Sequence, residues 1–487
     1  MINKIFKVKI MASGRRTFLK ASALSGLAIA MNPNQPGLIF PGQEKILPDE
    51  ALNKDSVLVK PTFPQLEWQY GEIGIIFHFD ISVGTGNIMG DNDIKKVLDP
   101  QQYNPVHLDT DQWVEAAKDA GATYAIFTAT HFGGFLQWQS DLYLYGLKQA
   151  KWKNGKGDIV ADFVKSCYKY NIKPGLYLST HRNAYWQVES HYVDWGKGQG
   201  TGRQKQFNRI CEKMTLELCS RYGRLLEIWF DAGVKTPAEG GPDVLPIFEK
   251  YQPNGIFYNS SQRSDFRWVG NENGFADYPC WATMPSGAYS HNAENWKHIL
   301  ETGAADGGIW SPAMVDITLR GANGIHSWFW NPDQEKGLYS VQQLMKIYEN
   351  SVGRNCNMVI GTVINPDGLV PETDAQRLMD FGKSLKDEFR NSKGSVKGKG
   401  KSFMIQLQEP TTLKKYVLQE DIQFGERVQS YIIKGQLENG LWVDVDKGSC
   451  IGHKRIGQIL MRGKFIQVSL DIPVSKDVPI IRSFEVF

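Results

Sequence analysis

Leu225-Leu226-Glu227-Ile228-Trp229-Phe230-Asp231-Ala232-Gly233 is the stretch that decides the fold. Leu225 to Asp231 is a short apolar run, the pattern of a buried strand, and it ends on a carboxylate. Helical patterns flank it, Lys205 to Arg221 before and Leu245 to Tyr251 after, and a further strand reads at Gly255 to Ser260. The same alternation extends outward. Upstream lie strands Gly74 to Phe79, Ala122 to Ala129 and Pro174 to Ser179, separated by helices Asp111 to Ala120 and Asp158 to Tyr170. Asp109 or Thr110 can cap the first of these helices and Gly121 can end it. Downstream, strands at Gly308 to Ile317 and Met358 to Val363 enclose a helix at Val341 to Val352. Strands alternating with helices predict a parallel sheet. No GxGxxG follows the first strand, so the spacing predicts an α/β fold of the (β/α)8 TIM-like barrel type over 67–390.

The texture changes after Arg390. Residues 391–402 are rich in Lys, Gly and Ser and read as a linker. From 403 to 487 short β-rich runs follow, which predicts a C-terminal antiparallel β-sandwich. At the other end, Ser13-Gly14-Arg15-Arg16-Thr17-Phe18-Leu19-Lys20 resembles a twin-arginine export motif, and Ala21 to Met31 is an apolar run too short to span a bilayer. Residues 1–31 are therefore expected to be a signal peptide of an exported, periplasmic or secreted protein, and 32–66, rich in Pro and Gly, a leader.

Composition narrows the chemistry. The 487 residues carry 55 Lys+Arg against 52 Asp+Glu, a net charge of +3, which gives no broad electrostatic grip on nucleic acid. No later segment is long and apolar enough to predict a membrane span. The six cysteines form no CxxC pair or zinc spacing, so neither a disulfide framework nor a metal is expected. A GxSxG elbow and an HExxH ligand set are both missing, which disfavours acyl transfer and metal-assisted hydrolysis. No cofactor is expected. Fourteen Trp and 12% aromatic residues suit a sugar-binding surface or a large aromatic core.

In a parallel barrel, functional groups project from the C-terminal strand ends. His78, His131 and Asp231 stand at such ends. Asp231 is the most informative, because a carboxylate after an apolar strand is costly unless it is hydrogen-bonded or used. Glycosidases use two carboxylates across the scissile bond.

These residues resemble the α-L-fucosidases of glycoside hydrolase family 29. The similarity runs through Phe77-His78-Phe79-Asp80, the Trp113 to Gly121 helix, Thr128-Ala129-Thr130-His131-Phe132-Gly133-Gly134-Phe135, residues 155–160, the Gly-Leu-Tyr-Leu-Ser strand, Trp229-Phe230-Asp231 and Arg267-Trp268-Val269-Gly270-Asn271-Glu272. The resemblance implies a retaining mechanism with Asp231 as nucleophile and Glu272, at the position used by the second subgroup, as acid/base. It also implies that His78, His131, Trp229, Tyr177, Arg267 and Trp268 bind the sugar of an oligosaccharide or glycoconjugate substrate. As an acid/base, Glu272 would need a raised pKa.

The departures from the family pattern fall on sugar-reading positions. Phe132 stands where the second His of a pair is expected, Gly133 where an Asp is, and Met314 ends a Pro-Ala-Glu motif. Asn87-Ile88-Met89-Gly90 replaces a Glu-Trp pair. Two readings stay open. One is an exo-glycosidase for α-L-fucosides or a relative such as an α-L-galactoside. The other is a degenerate carbohydrate-binding barrel without turnover.

Overall fold

A computed structural model describes residues 58–85, 96–286 and 297–487. The strand–helix alternation becomes one eight-stranded sheet. Its strands are β1 (Ile73–His78), β2 (Tyr124–Thr130), β3 (Lys173–Leu178), β4 (Glu227–Val234), β5 (Ile256–Ser260), β6 (Arg267–Trp268), β7 (Ala313–Thr318) and β8 (Cys356–Val363). The order is β5-β4-β3-β2-β1-β8-β7-β6, and every pairing is parallel. Helices α2 (Thr110–Asp119), α3 (Ile159–Tyr170), α4 (Gly202–Arg221) and α5 (Leu245–Tyr251) follow the first four strands in turn. Helices α6 (Lys297–Thr302), α7 (Val341–Asn350) and α8 (Glu372–Glu388) follow the last three.

One unit departs from the ideal barrel. Residues 261–266 pass from β5 to β6 without a helix, and these are the two end strands of the sheet. Asp265 spans the seam: its N–H donates to the Phe257 carbonyl at 3.0 Å, and its Oδ2 accepts from Phe257 N–H at 2.7 Å.

Strand alternation explains the packing. In β4, Ile228 and Phe230 join the cluster shared with helix residues such as Phe163 and Leu218. Trp229 instead joins the inner cluster with Trp68, Tyr124, Tyr177, Tyr258 and Met314. The inner floor comes from a helix before the first strand, α1 (Phe63–Gln69), started by a Thr62/Gln65 capping box and Pro64. Trp68 stacks on Phe266 at 4.6 Å and donates through Nε1 to Glu227 Oε2 at 2.7 Å. The leader expected over 32–66 thus gives way to barrel structure by Phe63. Residues 32–57 and the signal region lie outside the described residues, as do Asn87 to Gly90.

Two other expected segments change. Gly308 to Ile317 is not one strand: Ile309–Trp310 pairs antiparallel with Thr283–Met284, and Pro312 separates it from β7. Residues 391–402 are no linker, because they contain strand β9 (Gly394–Lys399), paired with the C-terminal strand β16 (Ile480–Val486). Its Lys and Gly content hid it, yet such residues suit a sheet edge, which is where it lies. Between these two come β10 (Ser402–Thr411), β11 (Lys415–Glu420), β12 (Val428–Leu437), β13 (Trp442–Gly448), β14 (Arg455–Gln458) and β15 (Phe465–Ser475). They form two antiparallel sheets, β9-β16-β11-β14 and β10-β15-β12-β13. Ile405, Leu418, Ile433, Val468 and Phe484 fill the space between them. All six cysteines are buried free thiols.

Candidate active site

Strand ends build the site. His78 ends β1, His131 follows β2, Tyr177 lies near the end of β3, and Trp229 and Asp231 share the inner face of β4. Together with Glu272, which follows β6, they line one cavity of about 290 Å³. That volume lies near the lower end of the roughly 300–1,000 Å³ usual for small-ligand pockets, and suits one sugar ring better than a chain.

Asp231 sits where β4 leaves the sheet. Ala232 and Gly233 turn there with φ of 52° and 79°. A Cβ on Gly233 would lie 2.3 Å from Asn259 Oδ1, so both the positive φ and the close approach require glycine. Tyr177 Oη donates to Asp231 Oδ2 at 2.9 Å. Burial raises the Asp231 carboxyl above its ordinary value. The Tyr177 bond and the Ala232 backbone act against this, and the Glu272 charge adds to it.

The two histidines are held neutral. Burial pushes His78 down to about 3 and His131 well below the usual imidazole range. His131 stacks between Tyr177, at 5.4 Å, and Phe132, at 4.1 Å. A neutral imidazole offers one donor and one acceptor, the pairing a sugar hydroxyl needs.

Glu272 is placed by a loop no sequence pattern indicated. His326 Nε2 lies 2.5 Å from Glu272 Oε2, and Trp328 Nε1 donates to the same oxygen at 3.1 Å. Burial pushes the carboxyl up, but these two hydrogen bonds outweigh it and leave Glu272 below its ordinary value. The raised pKa expected for an acid/base is therefore not its state in this structure.

Besides Asp231, the raised carboxyl in the cavity is Asp316, on the inner face of β7. Burial pushes it up to about 8, with the Glu272 charge adding to the effect. It lies two residues beyond Met314, so both share a strand face and Asp316 stands nearer the mouth. The signal was present in Pro312-Ala313-Met314-Val315-Asp316, where a carboxyl lost at one inward position is followed by one at the next. Trp328, Phe329 and His326 also line the cavity, on a loop whose lack of period gave nothing to read.

Arg267 and Trp268 do not line it. Arg267 is fully buried outside the cavity: Nε donates to the Leu300 carbonyl at 2.9 Å, Nη1 donates to the Ser311 carbonyl, and Nη2 lies 3.4 Å from Cys280 Sγ. Adjacent strand residues face opposite sides, which sends Arg267 outward and Trp268 inward. Trp268 Nε1 donates to Asp316 Oδ1 at 2.8 Å, so it holds a cavity group without lining the cavity itself. Among the described residues, no cluster of His, Cys, Asp or Glu could hold a metal, and no helix is long and apolar enough to cross a membrane.

The α-L-fucosidase family model matches residues 61–388. A crystal structure of a candidate α-L-fucosidase from Bacteroides thetaiotaomicron is 41% identical, covers 88% of this chain and 99% of its own, and superposes with a TM-score of 0.84. Alpha-L-fucosidase 1 of Arabidopsis thaliana is 27% identical over 449 residues, 83% of this chain and 82% of its own length. A Ruminococcus gnavus fucosidase in complex with fucose shares the fold at 22% identity and a TM-score of 0.72, covering 90% of this chain and 96% of its own.

Proposed function

Because the chain belongs to the α-L-fucosidase family of glycoside hydrolases, we propose that it releases a terminal α-L-fucosyl residue from a glycan with retention of configuration. The observation that carries this reading is Asp231, held by Tyr177 at the mouth of a one-sugar cavity that also contains Glu272. In the first step an Asp231 oxygen attacks the anomeric carbon. The bond to the leaving oxygen breaks as Glu272 supplies that oxygen with a proton, and a glycosyl–Asp231 ester forms. In the second step Glu272 takes a proton from water, whose oxygen displaces Asp231. A sugar in the cavity expels water and strengthens the burial that already pushes Glu272 upward, favouring its protonated form.

His78 and His131 read hydroxyls, and Trp229 packs on the C–H face of the ring. Phe132 turns an expected hydrogen-bonding position into an apolar wall. That suits the methyl group of a 6-deoxy sugar better than the hydroxymethyl of an α-L-galactoside. Export through the twin-arginine motif belongs to the same reading; cell fractionation of a variant with Arg15→Lys and Arg16→Lys tests it, retention in the cytoplasm being the expected result.

Asp231→Gly should abolish release of 4-nitrophenol from its α-L-fucoside, and azide should restore part of the rate as a glycosyl azide. Wild-type protein that releases nothing from a panel of aryl glycosides would establish the degenerate, sugar-binding reading instead.

A further inference from the structure

Among the described residues, the side-chain donors to Glu272 converge on one of its oxygens. His326 Nε2 and Trp328 Nε1 both engage Oε2, at 2.5 and 3.1 Å, and both come from the loop after β7. Oε1 accepts no hydrogen bond among the described residues. A carboxyl with one oxygen fixed by two donors cannot spin freely between equivalent positions, so its other oxygen acquires a defined direction. A general acid depends on that direction, because a proton moves efficiently only along an aligned hydrogen bond.

We propose that His326 is a positioning residue for the acid/base: with Trp328 it fixes Oε2 of Glu272 and presents Oε1 to the leaving oxygen. The inference rests on the glycosidase reading above and deepens it. In the glycosylation step Oε1–H gives its proton to the leaving oxygen as the C–O bond breaks. The carboxylate left behind is stabilised by the Nε2–H and Nε1–H already pointing at Oε2. In the second step Oε1 recovers a proton from the attacking water. His326 keeps its own Nε2 proton throughout, so no further proton is needed.

The groups facing this pair come from several elements. Asp316 on β7 and Asp231 on β4 are carboxyls, and His78 on β1 is a neutral imidazole. The Glu272 charge raises both of these carboxyls, and the His326 and Trp328 donors favour ionisation of Glu272 itself. Removing His326 therefore weakens Glu272 as an acid and lets it keep its proton to higher pH, while also loosening its aim.

The test compares two substrates whose need for the acid differs. A 2,4-dinitrophenyl α-L-fucoside leaves without protonation, whereas a fucosylated disaccharide does not. For His326→Phe, kcat/KM on the dinitrophenyl substrate should change less than about 3-fold, and on the disaccharide it should fall roughly 10- to 100-fold, within the span of general-acid effects. The alkaline limb of kcat/KM on the disaccharide should move to higher pH. His326→Gln, which keeps an N–H donor, should recover most of the loss. An equal fall on both substrates, or an unmoved alkaline limb, would overturn the positioning role. Glu272→Gln is the reference: if it shows the leaving-group dependence and His326→Phe does not, His326 alone is excluded. If Glu272→Gln shows none, the assignment of the acid/base falls, and His326 with it.

Discussion

At the scale of single residues, Arg267 and Trp268 show how far a motif can be read. Both belong to one contiguous resemblance, and both were expected at the sugar. Strand β6 then divides them by its pleat. Trp268 reaches the cavity through Asp316, while Arg267 ties the carbonyls of Leu300 and Ser311 behind the sheet. Arg267→Ala should therefore act on stability. It leaves two buried carbonyls unpaired, each costing about 1–3 kcal/mol, and opens a cavity besides. Thermal unfolding should show the loss, while the KM of the residual folded enzyme stays at the wild-type value; a KM raised 10-fold with an unchanged melting temperature would return Arg267 to the sugar. His78, His131, Tyr177, Trp229, Asp231 and Glu272 were legible because they end strands or extend a motif, and strand ends converge in a barrel whatever the loops do. Asp316 was less legible, because only its register with Met314 marks it as facing inward. His326 and Trp328 were not legible, because a loop's path over the cavity follows from contacts that no local pattern encodes.

At the scale of elements, periodic segments were read nearly to their ends, since burial on one face fixes both the period and the caps. Asp158 accepts from Ala161 N–H at the start of α3, and Asn171 closes that helix at φ 58°. Short elements were missed for the opposite reason. Two residues such as β6 have no period, and they are strands only because β7 supplies hydrogen-bond partners. The last helix, α8, is held from within. Asp374 near its start and Arg320 just after β7 are almost wholly buried, with Nε donating to Oδ1 at 3.0 Å and Nη2 to Oδ2 at 2.8 Å. This pair anchors the helix after the last strand to the end of its neighbour β7, from which the His326 loop departs. Breaking one member strands a buried charge, which costs about 3–5 kcal/mol. Asp374→Ala should lower stability by that amount in urea denaturation. Activity on the disaccharide should fall more than activity on the dinitrophenyl substrate, because the loop that aims Glu272 loses its root. A loss below 1 kcal/mol would mean that the surrounding packing, not the ion pair, holds α8.

At the scale of the whole molecule, barrel and sandwich meet across buried charged groups that oppose one another in pH dependence. Glu72, just before β1, meets Lys454 Nζ at 2.7 Å and His453 Nε2 at 2.7 Å from the sandwich. Burial resists its ionisation, but Lys454 and His453 outweigh burial and hold it far below the usual carboxylate range. Its stabilisation is complete above the unfolded carboxylate value, roughly 4.3, and disappears as pH falls toward the folded one. Glu426 and Glu420 behave in reverse. Glu426 accepts from Ala282 N–H at 2.9 Å and Asn355 Nδ2 at 2.5 Å, yet burial pushes it up to about 7. Burial pushes Glu420 up to about 8, with the Glu426 charge adding to it. Each holds a proton in the folded state that the unfolded chain has already released. Their contribution is therefore greatest below the unfolded carboxylate value and shrinks as pH rises through about 7 and 8. Glu227 under the cavity, also pushed by burial to about 8, adds to the same slope. The melting temperature should peak in weak acid, decline as pH rises toward about 8, and level off beyond it. Glu426→Gln keeps the shape and removes the titration, so it should flatten the decline between roughly pH 4.3 and 7 while leaving the loss below that range unchanged. Glu72→Gln should lower stability at neutral pH and abolish the acid-side loss. If Glu426→Gln melts in parallel with wild type between roughly pH 4.3 and 7, the seam between the two bodies does not set the pH response, and the decline belongs to Glu227 and Asp316 inside the barrel.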